Sequence, residues 1–231
     1  MHRKKAVLIM AAVLFFGSMG LWAGDTAIFA DLGFSADGNT YAFAQYGVQS
    51  SSLRPWADMF IVDVPTNNFV PGGRINYSHP VPITAGQNGS SALYSIITEN
   101  ASLMYTFRVN FHLQGKPLFV ALDDRHPGET ISFMDFDNNI SYRATLVSSA
   151  QGVGTGLRTS FFINLEKTAA DGTVRNYEVG TPELWRPQIE SYRIRRIIVN
   201  PQGTSMIMVI EMTQRDGDWV NIRYMVEAVR L

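Results

Sequence analysis

Residues 32–64 read Leu-Gly-Phe-Ser-Ala-Asp-Gly-Asn-Thr-Tyr-Ala-Phe-Ala-Gln-Tyr-Gly and then, after a polar loop, Asp-Met-Phe-Ile-Val-Asp-Val. An apolar run enters Phe34, Asp37-Gly38 supplies a tight turn, and Tyr41 to Tyr46 alternates back out, which is the pattern of a hairpin. A third strand follows at 59–64. A short fourth at Phe69-Val70 is stopped by Pro71-Gly72-Gly73. Four short strands in about 45 residues make one small antiparallel sheet.

Outward from that stretch, hairpin follows hairpin. Strand patterns at 118–122, 130–136, 141–147, 158–165, 174–179, 192–199, 205–212 and 220–229 are punctuated by turns such as Asp137-Asn138-Asn139, Ala170-Asp171-Gly172 and Asn200-Pro201-Gln202-Gly203. The prediction is a mainly β fold of antiparallel meander or hairpin sheets, either β-propeller-like blades or a β-sandwich. One segment changes period. Leu93, Ile96, Ile97, Met104 and Phe107 recur at three- and four-residue steps, which predicts one amphipathic helix around residues 91–108, capped by Ser90 or Ser91. Residues 47–57 and 73–89, with their Ser, Pro and Gly content, read as loops, and 183–191 is ambiguous, with a short helical turn around Trp185 as one reading.

The end of the chain repeats the beginning. Val199 to Met206 aligns onto Phe34 to Tyr41 with Gly203 on Gly38. First and last strands of a closed or nearly closed β architecture are those left with open edges, so the strand around 27–32 is expected in the same sheet as, or directly against, the strands between 206 and 229. The helix is expected on an outer face or end.

Met1-His2-Arg3-Lys4-Lys5 is a positive start, Ala6 to Phe16 is unbroken apolar, and Gly17, Ser18, Gly20 and Ala23 are small, the layout of a secretory signal peptide cut after Gly20 or Ala23. A single β-rich domain over 24–231 is expected to follow it, with no stable membrane span after processing. With no cysteine, disulfides and a lipoprotein anchor are excluded, and the domain must be held by burial alone. Loss of Arg3, Lys4 and Lys5 with the signal leaves 16 basic against 20 acidic residues, a net charge of minus four. A mildly acidic chain without a clustered basic footprint is not a nucleic-acid binder.

The strand, Phe-Ser-Xaa-Asp-Gly turn, strand ending in Ala-Phe, loop and Ile-Val-Asp strand of residues 32–64 resembles one blade of the TolB-type or WD-repeat β-propellers. The same opening looks like that of a family of predicted secreted bacterial proteins whose activity is not known. The resemblance implies a periplasmic or secreted protein. TolB-like domains bind protein partners, and by that analogy this chain binds an envelope protein or cell-wall component.

Candidate chemistry is sparse. Gly152-Val153-Gly154-Thr155-Gly156 looks like a phosphate-cradling loop, but a strand pattern follows it where a helix is required. Asp135-Phe136-Asp137-Asn138-Asn139 spaces oxygens as calcium loops do, yet Ile140 stands where glycine is needed and Leu146 where glutamate is needed. No metal site and no cofactor are expected. Asp123, Asp124 and His126 form the densest titratable cluster; no Gly-Xaa-Ser-Xaa-Gly elbow or His-Glu-Xaa-Xaa-His pair accompanies it. Arg193 and Arg195 share one face of a strand, with Arg196 opposite, and are candidates for binding an anionic group or for pairing with carboxylates across strands. Trp56, with Trp185 and Trp219, is a candidate for a sugar- or peptide-binding face as well as for the core. These features predict a non-catalytic binding or envelope-interaction protein. The alternative is an envelope glycan or peptide hydrolase using paired carboxylates.

Overall fold

The computed structural model describes residues 24–84, 86–122, 130–217 and 219–231. The amino-terminal sheet is a meander of β1 (Ile28–Ser35), β2 (Thr40–Gln49), β3 (Arg54–Asp63) and β4 (Asn68–Ser78), with β5 (Val109–Asn110) added beside β1. The outer sheet runs β7 (Thr130–Asp135), β8 (Ile140–Gln151), β9 (Arg158–Thr168) and β10 (Val174–Gly180), with β11 (Arg186–Pro187) also paired to β9. The central sheet is made of β12 (Ile189–Val199), β13 (Ser205–Asp216) and β14 (Trp219–Arg230), extended by β6 (Lys116–Val120) beside β12. All of these pairings are antiparallel.

The alternation along β13 shows why the sheets stack in this order. Met206, Met208 and Ile210 pack against Phe161, Ile163 and Leu165 of the outer sheet. Ile207 and Val209, pointing the other way, pack against Phe34, Tyr41, Phe43 and Val62 of the amino-terminal sheet. A strand buried on both faces reads as a continuous apolar run, as Met206 to Ile210 does. The interface with the amino-terminal sheet is aromatic: Phe29 and Phe43 lie 5.6 Å apart, Phe43 and Phe60 4.8 Å, and Tyr224 meets Phe29 edge-on at 5.7 Å.

The remaining face of the amino-terminal sheet carries Ala42, Ala44, Ala57, Met59 and Ile61. It lies under α1 (Ser90–Glu99) and α2 (Ala101–Thr106), which bury Ala92, Ile96 and Met104 against it. The single helix expected over 91–108 is therefore two. Asn100 ends the first, its Nδ2 donating to Ile96 O at 2.8 Å in competition with the helical ladder. Neither expected serine caps α1: Gly89 is the N-cap, and Ser90 N–H instead donates to Asn88 Oδ1 at 3.0 Å. On the far side of the stack, Ser141, Arg143 and Asn164 of the outer sheet point into solvent. The helices thus cover one end of the stack, and water the other.

The two ends of the chain meet. Gly38 N–H donates to Ser35 O and Gly203 N–H to Asn200 O, each at 2.9 Å, and the two glycines take φ of +70° and +71°. Gln202 Nε2 donates to Ala36 O at 2.5 Å, so the repeated turns touch each other. The free edge of β14 is closed by the amino-terminal segment and sheet. Ile222 N–H donates to Asp25 O at 2.9 Å, Tyr224 N–H to Gln45 Oε1 at 2.7 Å and Ala228 N–H to Asn67 Oδ1 at 2.7 Å. An edge strand so covered offers no template to another chain. Asn67 Nδ2 also donates to buried Glu227 at 2.5 Å, whose other oxygen lies 3.6 Å from Arg186. One carboxylate therefore joins all three sheets. Burial raises its pKa, and Asn67 and Arg186 offset part of that rise.

Several strands outrun their sequence patterns. The loop expected over 47–57 shrinks to 50–53, because β2 and β3 pair through Gly47↔Trp56 and Val48↔Pro55. The loop expected from 73 begins only after Ser78, since β4 continues past a bulge opposite Phe60 and Val62. Around Trp185 a two-residue strand, β11, stands in place of the helical turn.

Candidate functional site

At one end of the amino-terminal sheet, β2 and β3 set Gly47 opposite Trp56. A glycine in mid-strand leaves the sheet surface bare, and the indole fills that space: a Cβ on Gly47 would come within 3.1 Å of the ring. Arg223, reaching over from β14, lays its guanidinium carbon 4.3 Å from the ring centroid. Such a cation–π stack contributes roughly 1–2 kcal/mol when partly desolvated. Arg223 Nη1 donates to Asp25 O and Ile222 O, both at 2.9 Å, and Nη2 lies 3.8 Å from Asp25 Oδ2. Burial lowers the pKa of Arg223, and Asp25 and Asp58 oppose that shift.

The two carboxylates are engaged as firmly as the arginine. Asp25 Oδ1 accepts from the Ser50 N–H at 2.6 Å and the Ser50 hydroxyl at 2.5 Å. Asp58 Oδ1 accepts from Asn76 Nδ2 at 2.6 Å, and its Oδ2 accepts from Gln45 Nε2 at 3.2 Å. Asp25, Trp56, Asp58, Asn76 and Arg223, with Gln49, Tyr77 and Ser78, line a cleft of about 460 Å³, within the usual size of small-ligand sites. The Nε1–H of Trp56 is buried there with no partner among the described residues.

Trp56 is thus the one sequence-derived candidate that this cleft contains. Its companions Asp25, Asp58, Asn76 and Arg223 are scattered from one end of the chain to the other, and only strand pairing assembles them. The signal nearest to legible is Arg223 itself, a cation between the apolar Ile222 and Tyr224-Met225-Val226 of the closing strand. Arg193 and Arg195 lie elsewhere and converge on Glu211, at 3.2 and 3.7 Å, where the Tyr224 hydroxyl also donates at 3.2 Å. The expected alternation past them fails, because a bulge between Ile194 and Arg196 inserts one residue. Arg196 consequently lies on the same side as Arg193, 5.9 Å over Phe29. Asp123, Asp124 and His126 lie outside the described residues.

Other sequence features resolve into structural roles. Lys116 Nζ sits 2.5 Å from Asp135 and 2.7 Å from Asp137, an ion-paired clamp from β6 to the β7–β8 turn, where calcium-loop spacing had placed oxygen ligands. The glycine-rich segment is a one-turn helix at Gly154–Gly156 running directly into β9, so no helix amino end faces a phosphate. A larger cleft of about 770 Å³ lies between β6 and β7. Its walls are mainly Leu118, Phe119, Phe133, Phe136 and Tyr142, and its charged pair, Arg143 and Glu166, are cross-strand partners of each other.

Residues 42–230 match the model of the family described as "predicted secreted protein (DUF2259)". The chain belongs to this family. The match takes in nearly all of the three sheets, including Trp56, Asp58, Asn76 and Arg223 of the cleft, while Asp25 precedes it. No curated protein matches the chain. Membership in a family of predicted secreted proteins identifies a periplasmic or secreted protein, and no helix among the described residues is long and apolar enough to cross a membrane.

Proposed function

We propose that this member of the predicted secreted family is a non-catalytic binding protein that recognises an envelope glycan at the Trp56 cleft. One observation carries the reading: both cleft carboxylates already accept hydrogen bonds from fixed protein donors. General acid–base hydrolysis of a glycoside needs one carboxyl free to give a proton and a second free to attack or to activate water. Asp25 and Asp58 are instead held as oriented acceptors beside a guanidinium, amides and hydroxyls. Such a constellation suits the alternating donors and acceptors of a sugar, and the cleft volume accommodates one or two rings. The blade-like meander at residues 32–64 and the TolB analogy also favour an envelope partner over a soluble metabolite.

The test is co-sedimentation with purified peptidoglycan sacculi together with calorimetric titration of chitotetraose. The expected result is binding that falls about five- to thirtyfold in Asn76→Ala, since a lost amide contact in a partly buried site costs about 1–2 kcal/mol. Binding unaltered by Asn76→Ala, or absent from both probes, would overturn the proposal. Release of new reducing ends from either probe would show a hydrolase instead.

A further inference from the structure

The chain leaves the helices through a turn that exposes an unusual set of side chains. Tyr105 is 86% exposed and Phe111 43%, and Arg108 between them and His112 just after also lie in solvent. With Thr106, Val109 and Asn110 they line an open cleft of about 670 Å³ that contains no carboxylate. The turn is rigidly mounted. Asn110 and Val109 pair with Phe34 and Ser35 on the edge of β1, Leu113 N–H closes the turn on Asn110 O at 2.9 Å, and Phe34 N–H donates to Leu113 O at 2.7 Å.

Arg108 is the informative residue. It ends α2 in the left-handed region, φ +55°, which glycine adopts freely and which costs an arginine roughly 1 kcal/mol. Its backbone N–H donates to Tyr105 O at 3.0 Å, so the left-handed residue closes the helix end, while its guanidinium makes no ion pair or hydrogen bond among the described residues. The chain beyond the signal carries a net charge of minus four, whereas this cleft presents the Arg108 guanidinium and no carboxylate. Exposed tyrosine and phenylalanine beside an arginine is the composition that settles at the headgroup level of a bilayer, where the rings enter the acyl boundary and the cation meets phosphate.

We infer that the Tyr105–His112 turn docks the protein on an anionic phospholipid surface. Docking is weak and reversible, because one arginine near an anionic surface contributes only about fivefold in affinity. It also leaves the Trp56 cleft free, since the two sites share no residue.

The experiment is flotation of the processed protein with vesicles of phosphatidylcholine alone and of equal parts phosphatidylcholine and phosphatidylglycerol. The expected result is recovery with the anionic vesicles only. Arg108→Gly should lower the vesicle affinity about fivefold while keeping or raising the thermal midpoint, because glycine fits the backbone better. Arg108→Lys should restore binding, and Phe111→Ser should lower it. No recovery on anionic vesicles, equal recovery on both compositions, or unchanged binding by Arg108→Gly would overturn the inference. Full displacement by soluble glycerol phosphate would also overturn it, showing a soluble-phosphate site. Glycan binding measured on the same Arg108→Gly protein separates this result from the Trp56 cleft, and it should not change.

Discussion

Replacing Asp31 by asparagine should make the protein more stable at neutral pH and leave it unchanged in acid. Asp31 lies at the bulge of β1, where its Oδ1 accepts the Gly33 N–H at 3.0 Å. Burial raises its pKa from an ordinary 3.8 to about 6, against the lowering effects of the Gly33 N–H, the Tyr41 hydroxyl and the Arg196 charge. A carboxyl with a raised pKa in the folded state binds its proton more tightly there than in the unfolded chain. Its contribution is therefore fully present below about pH 4, is lost as pH rises toward 6, and stays lost above that. The span from 3.8 to about 6 corresponds to ~3 kcal/mol, and partial exposure of the group reduces this to roughly 2 kcal/mol. Asparagine keeps an acceptor for Gly33 and carries no charge. Urea unfolding should show Asp31→Asn about 2 kcal/mol more stable than the parent at pH near 7.5 and equal to it at pH near 4, with an unchanged m-value. A variant less stable than the parent at neutral pH would show that Asp31 is favourably ionised in place, and one stabilised equally at both would show that the gain does not come from ionisation; either result refutes the burial argument.

Three further outcomes follow from the same contacts. Asn67→Gly retains the left-handed backbone, φ +52°, but strips Ala228 N–H and Glu227 of their partner; the loss should be about 2–4 kcal/mol in chemical unfolding, and it should grow as pH rises and Glu227 ionises. Arg223→Met keeps the aliphatic stem and removes the stacked charge, so glycan binding should fall to background with a destabilisation of roughly 1–3 kcal/mol by calorimetry; retained binding would move the site away from the Trp56 cleft. Deleting residues 220–231 removes nearly all of β14, leaving the edge of β13 unpaired and taking buried Val226 and Ala228 out of the core, so the cooperative thermal transition should disappear; a transition left at the parent temperature would mean that the central sheet folds without its last strand.

Local chemistry was enough to read the hairpins. Asp-Gly and Asn-Pro-Gln-Gly turns demand particular backbone angles, and period-two runs demand strands, so both were legible residue by residue, as was the likeness of the turns at Gly38 and Gly203. The same local reading stopped strands too early at Gly47, Pro55 and Gly73, because breakers are tolerated where a neighbouring strand supplies an indole to cover a glycine or a bulge to absorb one. It also ran one helix through Asn100, whose side chain bonds its own backbone, and it placed Arg196 on the wrong side of β12, since a bulge leaves no mark in the alternation of residue types. Which sheet lies in the middle was not legible at all. The last strands of the chain insert between the earlier two sheets, a choice made by the apolar faces of β13 finding two partners at once. The Trp56 cleft shares that origin: Trp56 could be singled out by type, and Asn76 meets Asp58 through the β3–β4 pairing, but Asp25 and Arg223 join them only when β14 closes against the first sheet, because hydrogen bonds between residues nearly 200 positions apart have no local signature.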